Sequence, residues 1–266
     1  MIKFFRHIRQ NLLMENKTGK PAAKPSAGKP AGRYFKYAIG EIILVVIGIL
    51  IALQINNWNE LKKQRNEAHT FIKRLSEEVE QNIEITNREI LLEQQQVEKT
   101  KSLLEMFLWP QDKISSRAID SLIFAIMSSN SIDIKTGTLE EGLNTGKVSL
   151  LTNSELKQKL YSLPAVFEEI KRLETLESQD INDNMVPYMY DHMNFKNMDN
   201  AFSEFSKTLG PSKFKTVENR RLLTSLKFEN LVDNRYYNAN QSLENYRELL
   251  TNLKSIKKLL DEPLSE

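Results

Sequence analysis

One uninterrupted apolar stretch dominates the pattern of hydrophobic and polar positions along the chain. From Ile42 to Leu53 every residue is apolar or glycine. With its flanks the stretch reads YAIGEIILVVIGILIALQI, and as a helix it would be roughly 29 Å long, close to the hydrocarbon thickness of a bilayer. The pattern therefore predicts a single transmembrane helix over residues 34–58. A buried core helix is the alternative interpretation.

The residues on either side of the stretch favour the membrane. Aromatic residues lie at both ends, Tyr34, Phe35 and Tyr37 before it and Trp58 after it, as is typical of the two membrane–water interfaces. Residues 1–36 carry one acid and nine basic residues: Lys3, Arg6, Arg9, Lys17, Lys20, Lys24, Lys29, Arg33 and Lys36. Because basic residues resist translocation, we expect the N-terminus in the cytoplasm and the C-terminal domain in the periplasm, with the span in the inner membrane as signal anchor.

Two features inside the span suggest a helix partner. Glu41 is its one ionisable residue, and it either reaches the cytoplasmic headgroups near Lys36 or makes a buried polar contact with another helix. Gly48 and Ala52 form a small-x-x-x-small pair that permits close helix approach. The expected partners are therefore the lipid bilayer and either a partner protein or a second copy of the chain, through the span and the long helix after it.

Two segments precede the span. Residues 1–18 place Phe5, Ile8 and Leu12 on one helical face, which favours a basic amphipathic helix lying on the inner leaflet. A disordered basic tail is the alternative. Residues 19–33, rich in Pro, Ala, Gly and Lys, are predicted to be a flexible linker.

Helical periodicity continues beyond the span. No helix breaker occurs from Asn57 to Trp109, and Pro110 should end the helix. An apolar stripe recurs every seven residues, with others close by, and consists of Ile72, Leu75, Val79, Ile83, Ile90, Val97, Leu104 and Leu108. The alternate heptad positions hold Thr86, Glu93 and Thr100, which suits a helix inside a bundle better than a coiled-coil seam.

Further helices are predicted to the end of the chain. The first two cover residues 117–129, after a Ser115 or Ser116 cap, and 138–144, after a Thr138–Glu141 capping box and with Gly146 as the stop. The next covers residues 154–193 after an Asn153 or Ser154 cap, with a kink at Pro164 and a second kink or a boundary at Pro187, and the last covers 216–260. Residues 194–216 read as a loop with a short helix. The inner face of the last helix is predicted to be Leu222, Leu223, Leu226, Leu231, Tyr236, Leu243, Tyr246, Leu250, Leu253, Ile256 and Leu260. The fold class is therefore all-α, with a transmembrane helix continuing into an antiparallel extracytoplasmic bundle over residues 59–266.

Two stretches carry a family resemblance. MIKFFRHIRQNLL and YFKYAIGEIILVVIGILIALQINNWNE resemble the opening of a large family of uncharacterised single-pass membrane proteins of Bacteroidota-type bacteria. LEEGLNTGKVSLLTNSELKQKLYSL is similar to the family's later signature, although Leu139-Glu140-Glu141-Gly142 stands where that signature has an aromatic and Ser-rich stretch. The resemblance implies an inner-membrane anchor with a helical domain outside, and it implies no activity.

Composition limits the chemistry that the chain can perform. It has no cysteine and three histidines, which excludes disulfides, thiolate metal sites and a cysteine nucleophile. No spacing of a nucleophile with a base appears, so we expect no catalytic residues, no cofactor and no enzyme. We also expect no nucleic-acid partner.

One cluster could bind a ligand. Met185, Met189 and Met193 recur at helical spacing beside His192, and thioethers with an imidazole suit a soft metal such as Cu(I). The alternative is a methionine stripe that fills the core. Two functional hypotheses follow: a protein-binding or scaffold module of the cell envelope, and a soft-metal or small-ligand binding or sensing protein that uses the Met-rich segment.

Overall fold

The computed structural model describes residues 31–204, 208, 210, 212–214 and 218–262, with side chains from residue 38 onward. The predicted amphipathic segment 1–18 and residues 19–30 of the predicted linker lie outside this range. Residues 31–33, predicted as linker, belong to the first helix. The described residues are helical with no strand, which confirms the all-α fold class.

Seven α-helices follow one another along the described chain. They are α1 (Ala31–Met106), α2 (Ser116–Ile126), α3 (Gly137–Asn144), α4 (Ser154–Asp180), α5 (Val186–His192), α6 (Phe195–Phe202) and α7 (Leu226–Asp261). Short 3-10 turns cover Gln111–Lys113, Lys147–Leu150 and Asn219–Thr224, and a π-helical turn, Ile181–Met185, joins α4 to α5.

The chain divides into two units, residues 1–62 and 63–266. The second unit is an antiparallel bundle with four limbs. The part of α1 in this unit forms the first limb, α4 with α5 the third, and α7 the fourth. The second limb is not one helix. It consists of α2, a segment that lies along α1 without regular secondary structure (residues 130–135, the extended segment) and α3. Its contacts with α1 descend in order, from Asn130 beside Glu93 to Lys135 beside Asn82 and Thr138 beside Glu78.

Several predicted helix ends are confirmed. The Asn153 side chain accepts a hydrogen bond from the amide of Leu156 at 3.0 Å and begins α4. Gly146 takes a left-handed conformation, with φ of 75°, directly after α3. Helix α1 ends at Met106, just before Pro110, as expected. The long helical run from residue 154 passes through Pro164 and ends at His192.

Two predicted helix starts are wrong. The N-cap of α3 is Thr136 rather than Thr138, because the amides of Thr138 and Leu139 are capped by the Glu78 carboxylate of α1. The last helix begins at Leu226 rather than near residue 216. Ser225 caps it by accepting from the amide of Phe228 at 3.3 Å.

The π-helical turn before Pro187 has a local cause. Proline has no N–H, and its ring collides with the carbonyl four residues earlier in a regular α-helix. Widening the preceding turn relieves that collision and lets the helical run continue into α5.

The buried side chains of the bundle form two apolar clusters. The first includes Phe71, Leu75, Leu139, Leu160 and Leu253. The second includes Leu103, Ile123, Met189, Phe228 and Val232. Along α1 the two clusters are separated by a stretch whose buried side chains are polar, and along α7 by one that includes the buried polar side chains of Arg235 and Ser242.

The fully buried line of α1 differs from the predicted apolar stripe. Ile83, Ile90, Val97 and Leu104 are half-buried, and Leu108 is 84% exposed. The buried residues between the two clusters are instead Asn82, Thr86, Glu89, Glu93, Gln96 and Thr100. The predicted inner face of α7 is wrong at Leu226, which is 72% exposed, and Leu249 is more deeply buried than Leu250.

Candidate functional site

The predicted membrane span is a helix whose apolar side chains are covered by nothing in the described part of the chain. Its most apolar window is 0% buried. The exposed large side chains are Ile39, Ile42, Ile43, Leu44, Val45, Val46, Ile47, Ile49, Leu50, Ile51, Leu53 and Ile55. A Cβ atom placed on Gly48 would meet no atom within 4 Å. By length and composition this helix could cross a membrane.

The other residues singled out in the span lie on the same exposed helix. Glu41 and Ala52 are exposed, and Trp58 is 63% exposed with the Lys62 ammonium 5.6 Å from its ring centre. Tyr37 belongs to the helical backbone, and its side chain lies outside the described part. The predicted partner contact of Glu41 and the close approach at Gly48 stay predictions.

A buried polar layer lies between the two apolar clusters of the bundle. Three of the four limbs contribute side chains to it: Glu93 and Gln96 from α1, Glu174 and Glu177 from α4, and Arg235, Ser242 and Tyr246 from α7. Each of these residues is at most 7% exposed. The layer therefore holds three carboxylates and one buried guanidinium, which interacts with Glu177 and Glu93.

Arg235 connects the layer to the second limb. Its Nη1 forms an ion pair with Oε1 of Glu177. Its Nε donates to the carbonyl oxygen of Ile126 at 3.1 Å, and its Nη2 donates to that of Ser128 at 2.6 Å, just beyond the end of α2. Burial lowers the pKa of Arg235 to about 10, against the attraction of the Glu93 carboxylate. The guanidinium therefore remains charged at neutral pH.

Glu93 is the least satisfied member of the layer. One carboxylate oxygen accepts from the Asn130 amide at 2.8 Å, and the other, buried, has no hydrogen-bond partner. Burial raises the pKa of Glu93, and the Asn130 hydrogen bond and the charge of Arg235 lower it by less. This carboxyl group is therefore more readily protonated in the fold than in the unfolded chain.

Glu174 clamps the extended segment against α4. Its Oε1 accepts from the amide of Ile132 at 2.9 Å and from the hydroxyl of Tyr246 at 2.7 Å. Its Oε2 accepts from Ser131 at 3.0 Å and lies 3.2 Å from the Lys171 ammonium. Burial and the contact with Glu174 raise the pKa of Tyr246 above its ordinary value, so the hydroxyl stays protonated and acts as a donor.

Asn82 clamps the same segment against α1. Its side-chain amide donates to the carbonyl of Lys135 at 2.7 Å, and its oxygen accepts from the amide of Lys135 at 2.8 Å. The stretch of α1 from Asn82 to Glu93 rises about 16 Å as a helix, and an extended chain covers roughly the same distance in the five steps from residue 130 to residue 135. Glu93 and Asn82 of α1 thus hold the two ends of the extended segment, at Asn130 and Lys135.

An apolar pocket lies where the extended segment replaces a helix. A single extended strand is thinner than a helix of about 10 Å diameter, so it does not fill the space beside α4. The pocket has a volume of about 280 Å³. Its apolar lining is Ile132, Ile134, Leu139, Pro164, Phe167 and Ile170, and its polar lining is Asp133, Thr136, Glu140, Glu168 and Lys171.

The charges around the pocket are mostly negative. Asp133, Glu140 and Glu168 are exposed acids of its lining. The one basic group, the Lys171 ammonium, contacts Ser131, Glu174 and the carbonyl oxygen of Ile132 at 2.8 Å. The pocket therefore combines an apolar interior with an acidic edge.

The Met-rich segment lies in the second apolar cluster. Met185, Met189 and Met193 are buried there, at 2%, 0% and 8% exposure. His192 is exposed, and its ring stacks on Tyr188 with centroids 4.2 Å apart. This placement favours methionines that fill the core next to the π-helical turn, and the soft-metal site stays a prediction.

The polar layer and the pocket were not predicted from the sequence. The extended segment contains the alternation Ile132-Asp133-Ile134-Lys135, which is a short signal for a strand with one buried face. The predicted inner face of α7 is confirmed at Leu231, Leu243 and Tyr246. Its buried members Arg235, Ala239 and Ser242 were missed because the central stretch, YYNANQSLENY, is polar in composition. The sequence signal available for this buried face was the helical spacing of Arg235, Ala239, Ser242 and Tyr246.

One comparison with known proteins finds a similarity over part of the chain. No curated protein and no solved structure matches the sequence. The expected similarity to an uncharacterised family is confirmed, whereas the bacterial group and the single-pass topology stay predictions. Residues 41–167, which include the apolar helix, the extended segment and most of the pocket, match the model of a family of unknown function (DUF6090).

Proposed function

We propose that this protein is a single-pass protein of a bacterial inner membrane whose periplasmic helical domain binds a partner protein, without enzymatic activity. Residues 1–36 would lie in the cytoplasm and residues 59–266 in the periplasm. The observation that carries the binding role is the open apolar pocket with its acidic edge. The observation that supports the anchor is the fully exposed apolar helix.

The energetics of the apolar helix support membrane insertion. Its twelve exposed large apolar residues between Ile39 and Ile55 would each contribute about −0.3 to −0.6 kcal/mol, or about −4 to −7 kcal/mol together. Glu41 opposes this by at most about 3 kcal/mol, and by less because it lies near one end of the apolar stretch. The balance favours the bilayer, and the basic residues before the span favour a cytoplasmic N-terminus.

The size of the pocket supports a protein partner. Pockets for drug-sized ligands and cofactors have volumes of about 300–1,000 Å³, and this pocket falls just below that range at about 280 Å³. Such a volume suits one large apolar side chain. Interfaces commonly depend on an apolar anchor residue that enters a pocket of this kind.

Membrane topology is tested with a reporter fused to the C-terminus. A phosphatase that is active only in the periplasm should be active, and a fluorescent protein that matures only in the cytosol should not fluoresce. Replacing Val46 and Leu50 by Arg should release the protein from membranes, because each change costs about 3 kcal/mol at the bilayer centre. Cytosolic fluorescence of the fusion would contradict the proposed orientation.

Partner binding is tested with a photo-crosslinking amino acid in living cells. Placed at Glu168, beside the pocket, it should form a discrete adduct. Placed at Glu248, an exposed acid of α7 outside the pocket, it should not. Equal labelling at both positions, or none at either, would refute a partner that binds at the pocket.

A further inference from the structure

Recognition at the pocket depends on side chains rather than on backbone pairing. The amide and carbonyl of Ile132 are bonded to Glu174 and Lys171 of α4, at 2.9 and 2.8 Å. Those of Lys135 are bonded to Asn82 of α1. Because residues three apart direct these groups to opposite edges of an extended chain, one edge faces α4 and the other faces α1. Neither edge is open to a strand of another protein, so an occupant of the pocket is selected by its side chains.

The pocket has two walls, and both carry apolar side chains. The second limb contributes Ile132, Ile134 and Leu139, and α4 contributes Pro164, Phe167 and Ile170. A large apolar side chain in the pocket would contact apolar atoms on both sides, and its removal from water would favour binding. The hydrophobic effect is non-directional and discriminates little among apolar side chains of similar size. Selectivity for one partner over another therefore has to come from the polar edge.

The edge of the pocket carries negative charge that the described chain does not neutralise. Asp133 and Glu168, one on each wall, are exposed, and their carboxylates have no hydrogen bond or ion pair to the described residues. Glu140 is also exposed and accepts from the Thr136 hydroxyl at 2.7 Å, which holds its carboxylate beside the pocket. The one basic group of the lining, the Lys171 ammonium, is paired with a carboxylate of the polar layer. The three acids of the lining therefore have no partner cation among the described residues.

We propose that the pocket binds a cationic segment of the partner protein, in which Lys or Arg residues flank one large apolar side chain. The apolar side chain enters the pocket, and the flanking ammonium or guanidinium groups meet Asp133, Glu140 and Glu168 at its edge. Opposite charges placed around an apolar contact accelerate association and disfavour acidic competitors. This inference rests on the proposed binding function and specifies the chemistry of the partner.

The experiment uses the full-length chain in uncharged maltoside micelles and three photoreactive pentapeptides with blocked ends. Each peptide has a diazirine analogue of leucine at its centre, and its four flanking residues are all Lys, all Ser or all Glu. Illumination converts bound peptide into a covalent adduct, so weak binding is measured as the peptide concentration that gives half-maximal labelling. Mass spectrometry then locates the adduct.

We expect adducts on the two walls of the pocket and a clear order among the peptides. Exposed charge pairs contribute modestly one by one, so three of them should make half-maximal labelling occur at about tenfold lower concentration for the Lys peptide than for the Ser peptide. The Glu peptide should give no saturable labelling, because the acids repel it.

The dependence on salt tests whether the preference is electrostatic. The Debye length falls from about 30 Å at 0.01 M salt to about 3 Å at 1 M. The advantage of the Lys peptide over the Ser peptide should therefore fall from about tenfold to less than about twofold over this range. An advantage that salt does not change would contradict recognition by the acids.

Charge reversal on the protein locates the selecting groups. Asp133→Lys with Glu168→Lys should invert the preference, so that the Glu peptide labels at lower concentration than the Lys peptide. Glu77→Lys with Glu248→Lys makes the same change of charge at exposed positions outside the pocket and should keep the wild-type preference. These acids have no ion pair within the described chain, so circular dichroism should show both variants folded.

The outcomes separate this inference from the function on which it rests. Equal labelling by the three peptides, or a preference that the double substitution at Asp133 and Glu168 leaves unchanged, would overturn the cationic partner. Either result, with the crosslink at Glu168 still present in cells, would leave partner binding intact. A missing crosslink in cells would refute the binding function and this inference with it. Labelling of the pocket walls by a diazirine-bearing fatty acid, with loss of the peptide adducts, would also overturn the inference, in favour of a lipid occupant.

Discussion

Arg235 should be the most sensitive single position in the bundle. Its side chain is 2% exposed and connects three limbs, through the ion pair with Glu177 on α4 and the carbonyls of Ile126 and Ser128 at and just beyond the end of α2. Arg235→Met keeps much of the apolar volume of the side chain and removes all of these contacts. The substitution therefore isolates the polar role of the residue.

The expected cost follows from what the substitution leaves behind. A buried carboxylate that loses its ionic partner destabilises a fold by about 3–5 kcal/mol. Each of the two carbonyls left without a donor costs about 1–3 kcal/mol if no water reaches it. These terms overlap because the site can relax, so we expect Arg235→Met to lower the free energy of unfolding by about 3–5 kcal/mol.

A double-mutant cycle tests the reasoning behind that number. Glu177→Leu combined with Arg235→Met removes both charges and should recover at least about 2 kcal/mol relative to Arg235→Met alone, because no lone charge remains buried in the pair. The measurement is urea unfolding in micelles, followed by circular dichroism at 222 nm. Arg247→Met on the same helix is the control, since its pair with Glu244 is exposed and should cost less than about 1 kcal/mol.

Additive effects of the two substitutions would refute this account of the layer. Zero coupling would mean that Glu177 and Arg235 do not depend on each other for charge compensation. A loss in Arg235→Met no larger than that in Arg247→Met would mean that the guanidinium is hydrated in solution rather than buried.

Three further predictions concern the contacts of α1. Gly142→Ala should destabilise the bundle by about 1–3 kcal/mol in the same urea assay, because the new Cβ overlaps the ring of Phe71. Gly137→Ala is the control: its Cβ meets only one atom, at 3.9 Å, and the substitution should be nearly neutral. Glu78→Gln should cost about 0.5–2 kcal/mol by weakening the cap of α3, measurable as faster amide exchange at the start of that helix. Burial raises the pKa of Glu93 above its unfolded value, so the folded state binds the proton more tightly. The free energy of unfolding of the wild type relative to Glu93→Gln should therefore rise as pH falls from 7 to 5, in parallel urea titrations of the two proteins. A decrease over that pH range would contradict the raised pKa.

The sequence predicted those parts of the fold that depend on local signals. The apolar stretch, the end of α1 before Pro110, the Asn153 cap and the Gly146 stop each act within a few residues, and each is confirmed. The start of α3 was misplaced because its cap comes from Glu78, which lies 60 positions away in the sequence. A cap supplied by a distant side chain leaves no local pattern.

The candidate site was missed for a related physical reason. Periodicity analysis finds a buried helix face by its apolar residues, and the buried line of α1 between the clusters is polar. Thr86 and Thr100 satisfy their hydroxyls by donating to the carbonyls of Asn82 and Gln96, both at 2.7 Å. Because such residues are buried but polar, the predicted stripe was placed one residue C-terminal to the line of α1 that is buried.

The polar layer has a consequence for how the pocket is maintained. An apolar layer at this level would bury similar surface but would provide no acceptor for the amide of Ile132 or the hydroxyl of Ser131. Without those hydrogen bonds, an extended strand between helices would leave its polar backbone unsatisfied. Glu174 has its position because Tyr246 donates to it from α7 and Lys171 approaches from α4. The second limb can therefore contain a non-helical segment, and the space beside it can remain open, because the three long limbs contribute polar groups at the level of that segment.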